Sequence, residues 1–92
     1  MRYRIEVTDV AEGEIESIYS YLQENAPTFA DRWLSGLYEA IATLSDLPFR
    51  CARAPESGGA EGEIRQLLYR FNRILYEVRG RTEYVHHVRY IS

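Results

Sequence analysis

From Arg2 to Val7 polar and apolar residues alternate, with Tyr3, Ile5 and Val7 on one side and Arg2, Arg4 and Glu6 on the other. That period of two predicts a half-buried strand. The period then changes. Thr8 and Asp9 are N-cap residue types, Asp9 and Glu12 have capping-box spacing, and Ala11, Ile15, Ile18 and Leu22 recur at helical intervals, predicting a helix over 9–23. The stretch Glu24 to Pro27 interrupts the pattern, and Pro27 or Thr28 opens a second helix whose stripe is Ala30, Trp33, Leu34, Leu37, Ile41 and Leu44, ending near Leu47 ahead of Pro48. So short a connection predicts an antiparallel helical hairpin. Residues 49–63, with Pro55, Gly58, Gly59 and Gly62 and no period, read as a crossing loop. Strand-like runs follow at 64–71, 73–78 and 84–91, joined by turns near Asn72 and Gly80. The expected fold class is α+β: an N-terminal strand, an antiparallel helical hairpin, then a three-stranded antiparallel meander, with the helices on one face of the sheet.

Length and composition narrow this picture. Ninety-two residues, 46% of them hydrophobic, predict one domain over 1–92. A domain of this size buries roughly 60 to 70% of its unfolded surface, so its core is thin and a bound partner adds much stability. No apolar run reaches the ~20 residues of a membrane span and the N-terminus lacks the apolar stretch of a secretion signal, so a cytoplasmic address with no membrane partner is expected. The single cysteine, Cys51, excludes an internal disulfide and fits a reducing compartment. All 11 basic residues are arginine, and their distribution is uneven. Residues 1–48 carry a net charge of −6 and residues 49–92 a net charge of +3. The C-terminal half is therefore locally basic in a chain of net charge −3 that offers no broad attraction to nucleic acid.

Candidate chemistry lies mostly in that basic half. With regular alternation Arg65 shares a side with Leu67 and Tyr69, Arg73 with Leu75 and Glu77, and Arg89 with Val85 and His87. Three guanidiniums on one sheet face would make a carboxylate or polyanion site, with a neighbouring Tyr or His available for proton transfer. The alternative is three solvated strand residues paired with Glu63, Glu77 and Glu83. His86 and His87 are adjacent, so regular alternation sends them to opposite faces and denies them a shared metal. Of the eight tyrosines, Tyr19, Tyr21 and Tyr38 lie on helices among acids and Tyr3 and Tyr76 in apolar alternation, as packing or partner-facing rings. Tyr90, beside Arg89, is the functional candidate among them. Cys51 lies between Arg50 and Arg53 without a nucleophile motif, and Ser57 lacks the G-x-S-x-G elbow. No P-loop or dinucleotide fingerprint is present, so neither cofactor nor metal is expected.

The segments IESIYSYL, RWLSGLYEAIATLSDLP, CARAPES, EIRQLLY, RILYEV and HHVRY, in this order across nearly the whole chain, resemble the RelE/ParE superfamily of bacterial type II toxins. The resemblance implies the same α+β fold and a growth-inhibiting toxin of the plasmid-stabilisation type, neutralised by a cognate antitoxin wrapped on its surface. The helical hairpin and an exposed sheet edge are the expected docking surfaces. It also implies one of two activities. ParE-like members inhibit DNA gyrase by protein contact, whereas RelE-like members cleave mRNA on the ribosome with basic side chains that stabilise the phosphorane. Carried over to this chain, the nuclease pattern selects Arg65, Arg73, Arg89 and Tyr90 as catalytic candidates. Leu67 stands where a second basic residue is expected, and the chain stops at Ser92, short of further basic and tyrosine positions. Losing such contacts costs about 10²- to 10³-fold each by analogy with oxyanion donors. The expectation is therefore a ParE-like gyrase inhibitor, with a ribosome-dependent endonuclease or a degenerate non-catalytic binding module as the alternatives.

Overall fold

The computed structural model describes residues 2–55 and 63–91. Its elements are β1 (Arg4–Val7), α1 (Asp9–Asn25), α2 (Pro27–Ala42), a 3₁₀ turn (Thr43–Ser45), β2 (Ile64–Tyr69), β3 (Asn72–Arg79) and β4 (Thr82–Tyr90). The predicted order of elements holds throughout. The strands form one sheet in the order β1-β4-β3-β2, with β1 parallel to β4 and the other two pairings antiparallel.

The helices form where the apolar stripes lie and stop where those stripes lose their cap or partner. The N-cap of α1 is Thr8, whose hydroxyl accepts from the Ala11 amide at 3.2 Å, so Asp9 falls inside the first turn and the Asp9–Glu12 box does not form. Proline opens α2 at its first turn as predicted, and its last residues tighten into the 3₁₀ turn rather than running on as α-helix to Leu47. Ala11, Ile15, Ile18 and Leu22 of α1, together with Ala30, Trp33, Leu37 and Ile41 of α2, pack on Ile74, Tyr76, Val85 and Val88 of the sheet. Both helices therefore cover the same side of the sheet, and among the described residues no helix covers the other, open side, although Leu75 and Glu77 of β3 are buried there.

Of the two predicted turns, the first is corrected and the second holds. Asn72 is not in the first hairpin turn: the two connecting residues are Arg70 and Phe71, with Arg70 at φ 52°, and Asn72 pairs with Tyr69 as the first residue of β3. Fully buried, Asn72 accepts from the Trp33 indole N–H at 2.8 Å and donates to the Arg89 carbonyl at 3.2 Å. It ties α2 to two strands. The second turn is Gly80–Arg81, and the positive φ of 60° at Gly80 is the reason glycine sits there. Residues 52–54 run along the outer edge of β2, where Ala54 N–H donates to the Ile64 carbonyl and Gln66 N–H to the Ala52 carbonyl. Ser57, Gly58, Gly59 and Gly62 lie outside the described residues.

Candidate functional site

The pairing registers assign each side chain to a face. Arg65 lies opposite Tyr76, a core residue, and therefore points to the helical side. There it donates to the Cys51 carbonyl at 2.6 Å and pairs with Glu63 at 2.9 Å, which makes it a clasp between β2 and the preceding segment. Arg73 and Arg89 face one another across β3 and β4 on the open side, and Arg73 donates to the Gln66 side chain at 3.0 Å. Tyr90 is opposite Asn72, on the helical side at the end of the sheet. It is half exposed and stacks on Phe71 at 5.9 Å, which in turn stacks on Trp33 at 6.4 Å. The sequence expectation of one face holding Arg65, Arg73 and Arg89 is corrected: Arg73 and Arg89 come together, while Arg65 is on the opposite face with Tyr90 beyond it.

The expected carboxylate partners are only partly realised. Glu63 does pair with Arg65. Glu77 instead binds Arg79 at 3.1 Å and His86 at 2.9 Å; burial pushes its carboxyl up, but the hydrogen bonds with His86 and Arg79 and the charge of Arg79 outweigh that and leave the carboxyl below the usual range. Glu83 lies on the core side of β4 between Ile5 and Val78, fully buried, with no hydrogen-bond partner for either oxygen. Burial pushes its carboxyl up to about 7.

The histidines are arranged differently from the regular pattern. Pairing steps from Leu75–His87 to Tyr76–Val85, so His86 is the extra residue of a β-bulge. The bulge reverses alternation inside β4: Val85 and Val88, three residues apart, both reach the core, and His86 and His87 both line one pocket on the open side. The prediction that the two rings point to opposite faces fails for this reason. His87 Nδ1 lies 3.2 Å from a Glu14 oxygen that also accepts from the Val88 amide at 3.0 Å. Thr8 contributes in the same region, its amide donating to the Val85 carbonyl. The start of α1 thus takes over the flank of β4 where β1 has ended. Among the described residues no group of three His, Cys, Asp or Glu side chains is placed to hold a metal ion.

The pocket so formed has a volume of about 450 Å³ and is lined by Thr8, Val10, Ile64, Leu75, His86, His87 and Arg89. Its apolar wall includes Val10, which is 59% exposed. Cys51 is half-buried on the other side of the sheet, its thiol against the Tyr76 hydroxyl, which donates to the Pro48 carbonyl at 2.7 Å. Burial, with Cys51 beside it, raises the Tyr76 hydroxyl well above the ordinary tyrosine range. Such a thiol is a packed anchor for the segment.

Residues 5–90 match the family described as the ParE toxin of the type II toxin-antitoxin system, parDE. Ten chains of solved structures are similar to this chain. One of them, from a structure described as a chromosomal ParDE TA system from P. aeruginosa, superposes with a TM-score of 0.81 at 18% identity, over 99% of this chain and 98% of that one. At that identity the likeness is one of fold. No curated protein matches the chain.

Proposed function

Because the chain belongs to the ParE toxin family of type II toxin-antitoxin systems, we propose that it is the growth-inhibiting half of such a module, neutralised by a cognate antitoxin, and that it acts on DNA gyrase by protein contact. The observation that carries protein contact over RNA cleavage is the division of the catalytic candidates between two faces. Phosphoryl transfer needs its charge-stabilising groups gathered around one reacting phosphorus. Arg65 is committed to Cys51 and Glu63 on the helical side, and Arg73 and Arg89 stand on the other. A protein-binding surface has no such requirement.

Expression of the chain alone and together with the antitoxin encoded beside it tests the module. Growth should stop in the first culture and continue in the second; equal growth in both contradicts the proposal. Toeprinting of translated mRNA separates the two activities. The expected result is an unchanged message, and a cleavage product that disappears in Arg73→Ala would establish the endonuclease instead.

A further inference from the structure

At the end of the sheet where β1 begins and β3 turns into β4, guanidiniums and aromatic rings alternate. The Arg81 guanidinium lies over the Tyr3 ring at 5.3 Å, Tyr3 meets Phe49 edge-to-face at 6.3 Å, and the Arg65 guanidinium lies over Phe49 at 5.2 Å. The segment carrying Phe49 is held in place. The Tyr76 hydroxyl donates to the Pro48 carbonyl, and the Arg50 amide donates back to the Leu47 carbonyl at 3.3 Å. Leu47 and Phe49 nevertheless remain 60% and 56% exposed. The charges around them are unevenly matched: Arg2 pairs with Asp46, and Arg53 and Arg65 share Glu63. Among the described residues neither Arg50 nor Arg81 has a carboxylate partner, and Arg50 donates instead to the Thr43 hydroxyl at 2.7 Å.

We propose that this end of the molecule seats an acidic segment of the antitoxin, with one apolar side chain over Leu47 and Phe49 and carboxylates against Arg81 and Arg50. The inference rests on the antitoxin reading above and gives it a location. Charge complementarity selects the occupant. A guanidinium stacked on a ring keeps its N–H edge for a carboxylate, and the stacking fixes its plane before any partner arrives, which lowers the entropy lost on binding. Exposed apolar side chains beside arginine are also what the centre of a protein interface is built from. The outer side of the helical hairpin, by contrast, exposes Glu12, Glu16, Glu24, Asp31 and Glu39, which repel an acidic chain. A single-stranded nucleic acid would need open ring faces on which to stack its bases. Here the chain's own guanidiniums lie over both rings, and Leu47 has no π-face to offer. An acidic peptide with an apolar anchor uses every part of the surface.

The test is the affinity of the purified chain for its co-encoded antitoxin, measured for the wild type, Arg81→Glu, Arg50→Glu, Leu47→Ser and the triple variant, with melting temperatures alongside. All three positions are exposed and outside the core, so the fold survives the substitutions. Each single variant should weaken binding about tenfold and the triple variant about a hundredfold or more, while Arg32→Glu in the first half of α2 changes it by less than about twofold. Added salt should weaken the wild-type complex more than that of Arg81→Glu, because the variant has lost part of the attraction that salt screens. Full affinity in the triple variant would overturn this location while leaving the antitoxin reading intact. Failure of the wild type to bind the antitoxin at all would overturn the reading and the location together. A labelled single-stranded DNA that binds the wild type and is lost in the triple variant, with antitoxin binding unchanged, would reassign the surface to nucleic acid.

Discussion

Glu83 is the residue whose environment has the clearest measurable consequence. A carboxyl in the core of a central strand, with neither oxygen bonded, favours its neutral form, and its titration moves from the ordinary 4.5 up to about 7. The folded state then binds a proton more tightly than the unfolded state, so this contribution to stability is complete below about pH 4.5 and declines as pH rises towards 7. A shift of that size corresponds to about 3 kcal/mol across the window. Tyr76 feels its charge, Ile5 and Val78 flank it in the sheet, and neither of its oxygens is hydrogen-bonded. In chemical denaturation between pH 5 and 8, Glu83→Gln should lose most of this slope and be more stable than the wild type at pH 8; a slope unchanged by the substitution would show that another group supplies it. Regular alternation in the sequence places Val85 on the side of Arg89 and His87, whereas the structure puts Val85 in the core, and a period of two run backwards from it places Glu83 there as well. Asn72 was not legible in the sequence: asparagine is a turn residue by type, and only the fold brings the Trp33 indole and the Arg89 carbonyl to its amide.

Among the elements, helices were the most legible. Every residue of the first predicted stripe is buried, and so are Ala30, Trp33, Leu37, Ile41 and Leu44 of the second, because an amphipathic face has one way to meet a sheet. The strands were found but not their irregularity, and with it the site was misread. A valine at 85 and another at 88 cannot both face inward in a regular strand, so their spacing was the available sign of the bulge that turns His86 and His87 to one side. Arg65 was misplaced for a related reason: regular alternation fixes which residues of one strand share a face, whereas the register between strands decides which face that is. Helix-to-sheet contact also explains a glycine within α2. A Cβ at Gly36 would collide with the Tyr69 hydroxyl, which donates to the Trp33 carbonyl at 3.0 Å and accepts from Arg70 Nε at 3.2 Å. Gly36→Ala gains about 1 kcal/mol of helix propensity but forces this anchored ring aside, and overpacking of this kind costs roughly 1–3 kcal/mol. Thermal unfolding should show a lower midpoint for Gly36→Ala and partial recovery when Tyr69→Phe is added; a higher midpoint for the single variant would mean that the ring moves freely.

At the scale of the whole molecule, charge and layer coincide. The −6 half supplies β1 and the helical hairpin, while the +3 half supplies the other three strands and both arginines of the open face. Opposed faces of opposite sign orient an approaching partner before any contact forms. Among the described residues no helix is long and apolar enough to cross a membrane. Among the described residues, one side of the small sheet is closed by its own helices, and the other carries Arg73, Arg89, His86 and His87 beside an apolar pocket. That arrangement suits a protein that grips another macromolecule, and the central claim is that the macromolecule inhibited is DNA gyrase. The most direct measurement is the supercoiling of relaxed plasmid by purified gyrase with this chain added, alone and after preincubation with its antitoxin. The account predicts inhibition by the chain alone and recovery with the antitoxin, whereas undiminished supercoiling at toxin concentrations that arrest growth would contradict it.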